Sequence, residues 1–187
     1  GGAAVVSILK LYGTVDAATV LSMDGDANGI NTLQIGNGVD AVTNTLSVQM
    51  NGSTDAAANI VNIMANATMA GTIDAGLADN QTTAVINLAA GSTVSGAISD
   101  TQDGTNITIN VDGDATISSA LDLEHTSIVK VAIDTGMTLT MSGTGAVKLD
   151  TGTSNDMFEL TGTGTLKLTG AKTIVGEING ACAGDGT

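Results

Sequence analysis

Asp24, Asp26, Asn28 and Gly29 stand in the run DGDANG, and Asp112 and Asp114 repeat its acidic core in DGDAT. Oxygen ligands at alternate positions, followed by a glycine that allows a sharp turn, are what a hard cation such as Ca²⁺ requires. A helical calcium loop would need a glutamate at its twelfth position, and Ile35 stands there, which speaks against that form. Two readings fit better. One is an ordinary solvated turn, and the other is a turn of a β-array whose carboxylates hold structural Ca²⁺ loosely, with Asp24, Asp26, Asn28, Asp112 and Asp114 as its ligands.

Other chemistry is poorly supplied. His125, beside Glu124 and near Asp122, is the sole histidine, so no multi-histidine zinc site can form, and a single histidine at a corner reads as a surface residue. Paired carboxylates of the kind that cleave polysaccharides are conceivable. Sugar-cleaving sites add aromatic platforms and basic residues, yet tryptophan and arginine are absent. No GxSxG nucleophile motif occurs either. The expectation is a protein that is not an enzyme.

The elements that would carry these turns are repeated. AVINLAAGSTVSGAIS and NITINVDGDATISSAL each run from an alternating apolar strand through a glycine (Gly91, Gly113) and a threonine into a second strand. IVNIMANATMAGTI carries the same unit with Asn66 at the glycine position, and VKVAIDTGMTLTM carries it with Gly136. The marker threonines Thr68, Thr93, Thr116 and Thr138 lie 25, 23 and 22 residues apart. That period suits one coil of a β-helix, whereas helical repeats run to roughly 33 or 34 residues. Residues 14–51 carry shorter units around Leu21, Leu33 and Leu46, which read as successive faces of the same coil. The Asn-Gly pairs at 28–29, 37–38 and 51–52 are also hairpin signals, which keeps a hairpin meander or a β-sandwich open as alternatives.

Composition agrees with a thin β-core. Tyr12 and Phe158 are the two aromatics, proline is absent, and 42% of residues are hydrophobic. Valine, isoleucine, leucine, alanine and methionine must therefore fill the interior in narrow layers. The net charge is −14, with thirteen acidic residues and no lysine between Leu11 and Val129. Such a surface repels nucleic acid and anionic lipid. No apolar run is long enough for a transmembrane helix. Cys182 has no second cysteine to pair with, and the opening residues lack the basic and apolar regions of a secretory signal.

Residues 1–13 read as a cap or joining strand, 14–178 as one continuous array, and 179–187 as a tail. TQDGT (101–105), DLEHT (122–126) and TGTSND (151–156) read as corners. The fold expected is an all-β, parallel β-solenoid of about seven coils, with Val85, Leu88, Val94, Ile107, Ile109, Val111, Ile117, Val131, Ile133 and Leu139 pointing inward.

On NITINVDGDATI, AVINLAAGSTVSGAI and VKVAIDTGMTLTM, the chain resembles the β-solenoid stalks of bacterial surface proteins over about residues 14–178. These include autotransporter passengers, filamentous haemagglutinin-like adhesins and repeat-built surface-layer proteins. The resemblance implies an extracellular, structural or adhesive role. It points to a subunit of a filament or surface lattice whose partners are copies of itself, joined head to tail through residues 4–11. An adhesin or viral fibre segment that presents one face to a host glycan is the alternative, and a polysaccharide-degrading β-helix comes third.

Overall fold

The computed structural model describes residues 6–16, 20–25, 29–52, 58–76, 83–101, 106–124, 128–149, 157–170, 173–175 and 177–181. They form strands and turns, with no helix among them. The first coil holds β1 (Val6–Leu11) and β2 (Val20–Gly25). Next come β3 (Ile30–Ile35), β4 (Val42–Asn44) and β5 (Ser47–Gly52), then β6 (Ala58–Ile63), β7 (Ala67–Met69) and β8 (Ile73–Asp74). The central coils are β9 (Thr83–Leu88), β10 (Thr93–Val94) and β11 (Ile98–Ser99), then β12 (Asn106–Val111), β13 (Ala115–Ile117) and β14 (Leu121–Leu123). The last are β15 (Ile128–Ile133), β16 (Thr138–Met141) and β17 (Val147–Leu149), then β18 (Met157–Thr161), β19 (Thr165–Leu168), β20 (Ile174–Val175) and β21 (Glu177–Ala181).

Each strand pairs in parallel with the strand one coil away, which makes three sheets. Sheet A runs β1-β3-β6-β9-β12-β15-β18-β21, sheet B runs β4-β7-β10-β13-β16-β19, and sheet C runs β2-β5-β8-β11-β14-β17-β20. The protein is a parallel β-solenoid. Six successive coils, from β3-β4-β5 to β18-β19-β20, carry a strand in all three sheets, which differs little from the seven coils expected. In the first coil, sheet B is reduced to a bridge between Val15 and Asn44, whose side-chain Oδ1 accepts the Val15 N–H at 3.1 Å.

Alternation fixes which residues face inward, because successive side chains of a strand point to opposite sides. In β9 the buried residues are Ala84, Ile86 and Leu88. Leu88 and Val85 therefore cannot both point inward, and Val85 lies on the outer side, half-buried, in register with Ile60 and Thr108. The other nine expected core residues are buried. Hairpins are absent from the pairings described, all of which are parallel. Asn37–Gly38 makes the corner between β3 and β4 instead: Asn37 Oδ1 accepts the N–H groups of Val39 and Asp40, each at 2.9 Å, and Gly38 has φ of 82°.

The repeated turn position has two physical bases. Asn66, Gly91 and Gly136 adopt left-handed backbone with φ of 62°, 74° and 79°, which asparagine and glycine accept best. Gly113 is outside this group. A Cβ there would press on the Ala90 backbone, 2.5 Å from its nitrogen, so close approach requires the glycine.

Three boundaries move. β1 is the first rung of sheet A, in register with β3 from Val6 against Ile30 to Leu11 against Ile35, so the strand expected in this stretch continues the ladder of the array over residues 6–11, while residues 1–5 lie outside the described residues. Asp122 belongs to β14, and the DLEHT corner begins only at Glu124. β21 continues through Asn179 and Gly180 to Ala181, into the stretch read as a tail, because ladder hydrogen bonds come from the backbone and need no apolar alternation.

Candidate functional site

Of the residues singled out for calcium, Asp26 and Asn28 lie outside the described residues, and Asp24 has a described backbone, in β2 opposite Asn51. Asp112 and Asp114 flank the turn from sheet A to sheet B, but their surroundings differ. Asp112 is close enough to Asp134 of the next coil for that charge, together with partial burial as the larger cause, to push its carboxyl above the usual 3.8. Asp114 is turned along the sheet, where its Oδ1 accepts the Thr138 N–H at 2.7 Å. Among the described residues, no three Asp, Glu, His or Cys side chains gather to hold a metal.

His125 also lies outside the described residues. Its expected neighbours are engaged elsewhere: Lys148 Nζ is 3.1 Å from Glu124 and 3.5 Å from Asp122. This trio lies on the outside of sheet C, where Ser22, Gln49, Asp74, Ser99, Asp122 and Lys148 form one outward column. The Asp74 carboxyl is raised by burial, opposed by hydrogen bonds from the Gly76 N–H and the Thr101 hydroxyl.

Asp74 and Asp112 give a pH dependence of known sign. A carboxyl raised above its unfolded value binds more protons in the folded chain, so its contribution to stability is fully present below 3.8 and is lost as pH rises through the folded value. Lowering the pH from 7 toward 4 should therefore raise the melting temperature through these two groups, and Asp112→Asn should flatten part of the rise. A melting temperature that falls steadily over that range in the parent, with no change in Asp112→Asn, contradicts this account.

The outside of sheet A carries an amide ladder. Asn87 Nδ2 donates to Asn62 Oδ1 at 2.7 Å, and Asn110 Nδ2 donates to Asn87 Oδ1 at 2.8 Å. Lys130 and Glu159 pair on the same face. A second amide pair lies inside: Asn31 Nδ2 donates to Asn59 Oδ1, and the buried Asn59 donates to the Asn51 carbonyl at 2.9 Å.

Sheet B carries the most uniform outer face, and part of it went unrecognised in the linear repeat. Thr43, Thr68, Thr93, Thr116 and Thr140 stand opposite one another in successive strands, with Lys167 after them. Thr140, not the expected marker Thr138, continues the column. Leu139 and Met141 are buried, which sets the parity, and Leu139 aligns with Ala115.

Among the described residues, Val6, Ile8, Leu9, Tyr12 and Val20 are exposed at the N-terminal end. One inward column of sheet A runs Leu9, Leu33, Val61, Ile86, Ile109, Val131, Phe158 and Ile178. Its six inner members are buried, but Leu9 is 45% and Ile178 is 55% exposed. A groove lined by Leu9, Leu21, Met23 and Leu33 opens beside β1.

No family model, curated protein or solved structure matches this chain. The fold itself defines the class, a parallel β-solenoid.

Proposed function

We propose that this chain is a non-enzymatic structural subunit of an extracellular or cell-surface assembly, stacking head to tail on copies of itself. The observation that carries the reading is the sheet A core column, which is buried along its length and ends in exposed Leu9 and Ile178. Stacking β1 of one copy on β21 of the next would continue the 4.7–4.9 Å strand spacing, pair the free backbone edges and cover both side chains. A heterologous contact of this kind grows into a fibre when it does not close on itself.

Removing residues 1–11 is a weak test, because it exposes Leu33 and Ile35 of β3 as a new edge of the same kind. A charge at the joint is cleaner. The parent chain should sediment as polymers whose size grows with concentration, whereas Leu9→Lys and Ile178→Lys should each sediment as folded monomers. A parent that stays monomeric at high concentration, or charged variants that polymerise as it does, overturns the reading.

Calcium at the acidic turns belongs to the same proposal. It would relieve the repulsion between Asp112 and Asp134. Calcium should raise the melting temperature relative to chelator, and Asp112→Asn should shrink that difference. Coincident curves leave the aspartates as turn residues.

A further inference from the structure

On sheet B the threonine column has a partner rank two residues along each strand. Thr45, Ala70, Ser95, Ser118, Ser142 and Thr169 follow one another coil by coil, held by N–H bonds from Ala70 to the Asn44 carbonyl, Ser95 to Met69, Ser118 to Val94, Ser142 to Ile117 and Thr169 to Met141. The residue between the ranks is buried in the first five strands, as Asn44, Met69, Val94, Ile117 and Met141 are, whereas Leu168 in the sixth is exposed. The outer surface is thus a two-dimensional array, about 4.8 Å from coil to coil and roughly 6.6 Å from rank to rank.

Three properties narrow what such an array fits. First, among the described residues the hydroxyls of Thr43, Thr68, Thr93, Thr116 and Thr140 make no hydrogen bond, so the first rank keeps its donors and acceptors for an outside partner, whereas in the second rank Thr45, Ser118 and Thr169 donate to the carbonyls of Val15, Val94 and Met141. Threonine is stiff at χ1, which makes the repeat one of methyls and hydroxyls as well as of backbone. Second, both ranks are free of charge through the first five strands, on a chain of net charge −14. Charge enters at the margin, with Lys167 ending the threonine column and Asp114 tied to the Thr138 N–H. The outer columns of sheets A and C carry Lys130, Asp74, Asp122 and Lys148 and have no such uniformity. Third, no aromatic ring is near: Phe158 is buried in the core, and Tyr12 follows β1.

A neutral, periodic surface of methyls and hydroxyls is matched by a partner that is itself periodic and uncharged and that offers a hydrogen-bond donor and acceptor at each repeat. Ordered water meets all of these conditions, and the oxygen spacings on the faces of ice are of this size. Crystalline polysaccharide is also periodic, but its recognition draws on stacked aromatic rings that this face lacks. We infer that the threonine and serine ranks of sheet B form an ice-binding surface, the methyls ordering a water layer and the hydroxyls anchoring it. The surface is complete within one copy and does not depend on polymerisation.

The test is growth of a polycrystalline ice front through a solution of the fluorescently labelled full chain. The parent should be taken into the ice and should halt recrystallisation. Thr93→Lys/Thr116→Lys should lower uptake by about tenfold or more. Thr32→Lys/Thr108→Lys, which adds the same charge to the outside of sheet A, should match the parent. Circular dichroism checks that each variant keeps its β-structure, and Thr140→Tyr at the next strand replaces the double variant if that one unfolds. Exclusion of the parent from ice, unchanged uptake by the folded sheet B variants, or sedimentation of the parent with crystalline chitin or cellulose but not with ice would each overturn the inference.

Discussion

Phe158→Ala should cost about 3–5 kcal/mol, the range for deleting a fully buried aromatic ring. Phe158 is the largest of the fully buried side chains and stands in β18 between Val131 and Ile178 of the adjoining coils. The rest of that column is aliphatic, so no neighbouring ring can lean into the space. Each coil of a solenoid touches only its neighbours, and the loss should therefore be felt locally before it is felt globally. Hydrogen exchange should show β18 to β21 opening first, while β6 to β12 keep their protection, and urea melts should show an early transition of the C-terminal coils. Uniform loss of protection along the whole array would mean that the coils are coupled more tightly than nearest-neighbour contact allows.

Gly96→Ala should cost about 3 kcal/mol, although Gly96 lies at a corner and carries no side chain. Here coils nearly touch: a Cβ on Gly96 would overlap the Gly71 carbonyl, and one on Gly71 would overlap the Leu46 carbonyl. The pattern of bonds repeats, with the N–H groups of Ala70 and Gly71 both donating to the Asn44 carbonyl and those of Ser95 and Gly96 both donating to Met69. In the following coil Ser119 stands over Gly96 and donates its hydroxyl to the Gly96 carbonyl. Gly136 is the proper contrast. Its φ of +79° is strained for alanine, but the nearest atom to an added Cβ is 4.0 Å away, so Gly136→Ala should cost only about 1–2 kcal/mol. Denaturant melts of the two variants decide between the causes. A Gly136→Ala loss equal to or larger than that of Gly96→Ala would remove close approach as the reason for the corner glycines.

Much of this architecture can be read from the chain, because each coil states its parity several times over. Ile107, Ile109 and Val111 mark the inward side of β12, and the glycine or asparagine at the turn resets the phase for the next face. Reading fails where a residue is apolar on both sides of the strand. Val85 looks as fit for the core as Ile86, and only the alternation counted back from Leu88 excludes it. The substitution of Thr140 for Thr138 has the same origin, since either threonine fits the motif until Leu139 is known to be buried. Gly113 and Gly91 look alike in sequence, yet one answers to a close approach and the other to backbone dihedral. The pairing of Asp112 with Asp134 could be found only once register was known, as neither residue is near the other along the chain.

The central coils differ in length, and they differ at one place. Asn62 and Asn87 are 25 residues apart while Asn87 and Asn110 are 23 apart, yet the steps from Ile63 to Ala67, from Leu88 to Ser92 and from Val111 to Ala115 are alike. So are those from Met69 to Ile73, Val94 to Ile98 and Ile117 to Leu121, which leaves the whole difference to the return from sheet C to sheet A. Among these three coils that corner absorbs the difference without disturbing a core column, and the other corners lengthen in the same way elsewhere, from Ile35 to Val42 and from Ile133 to Leu139. The return corner is also a natural address for a grafted peptide. A segment spliced between β8 and β9 would be carried at the edge of the array, and copies added at the same corner of other coils would form a row along its axis.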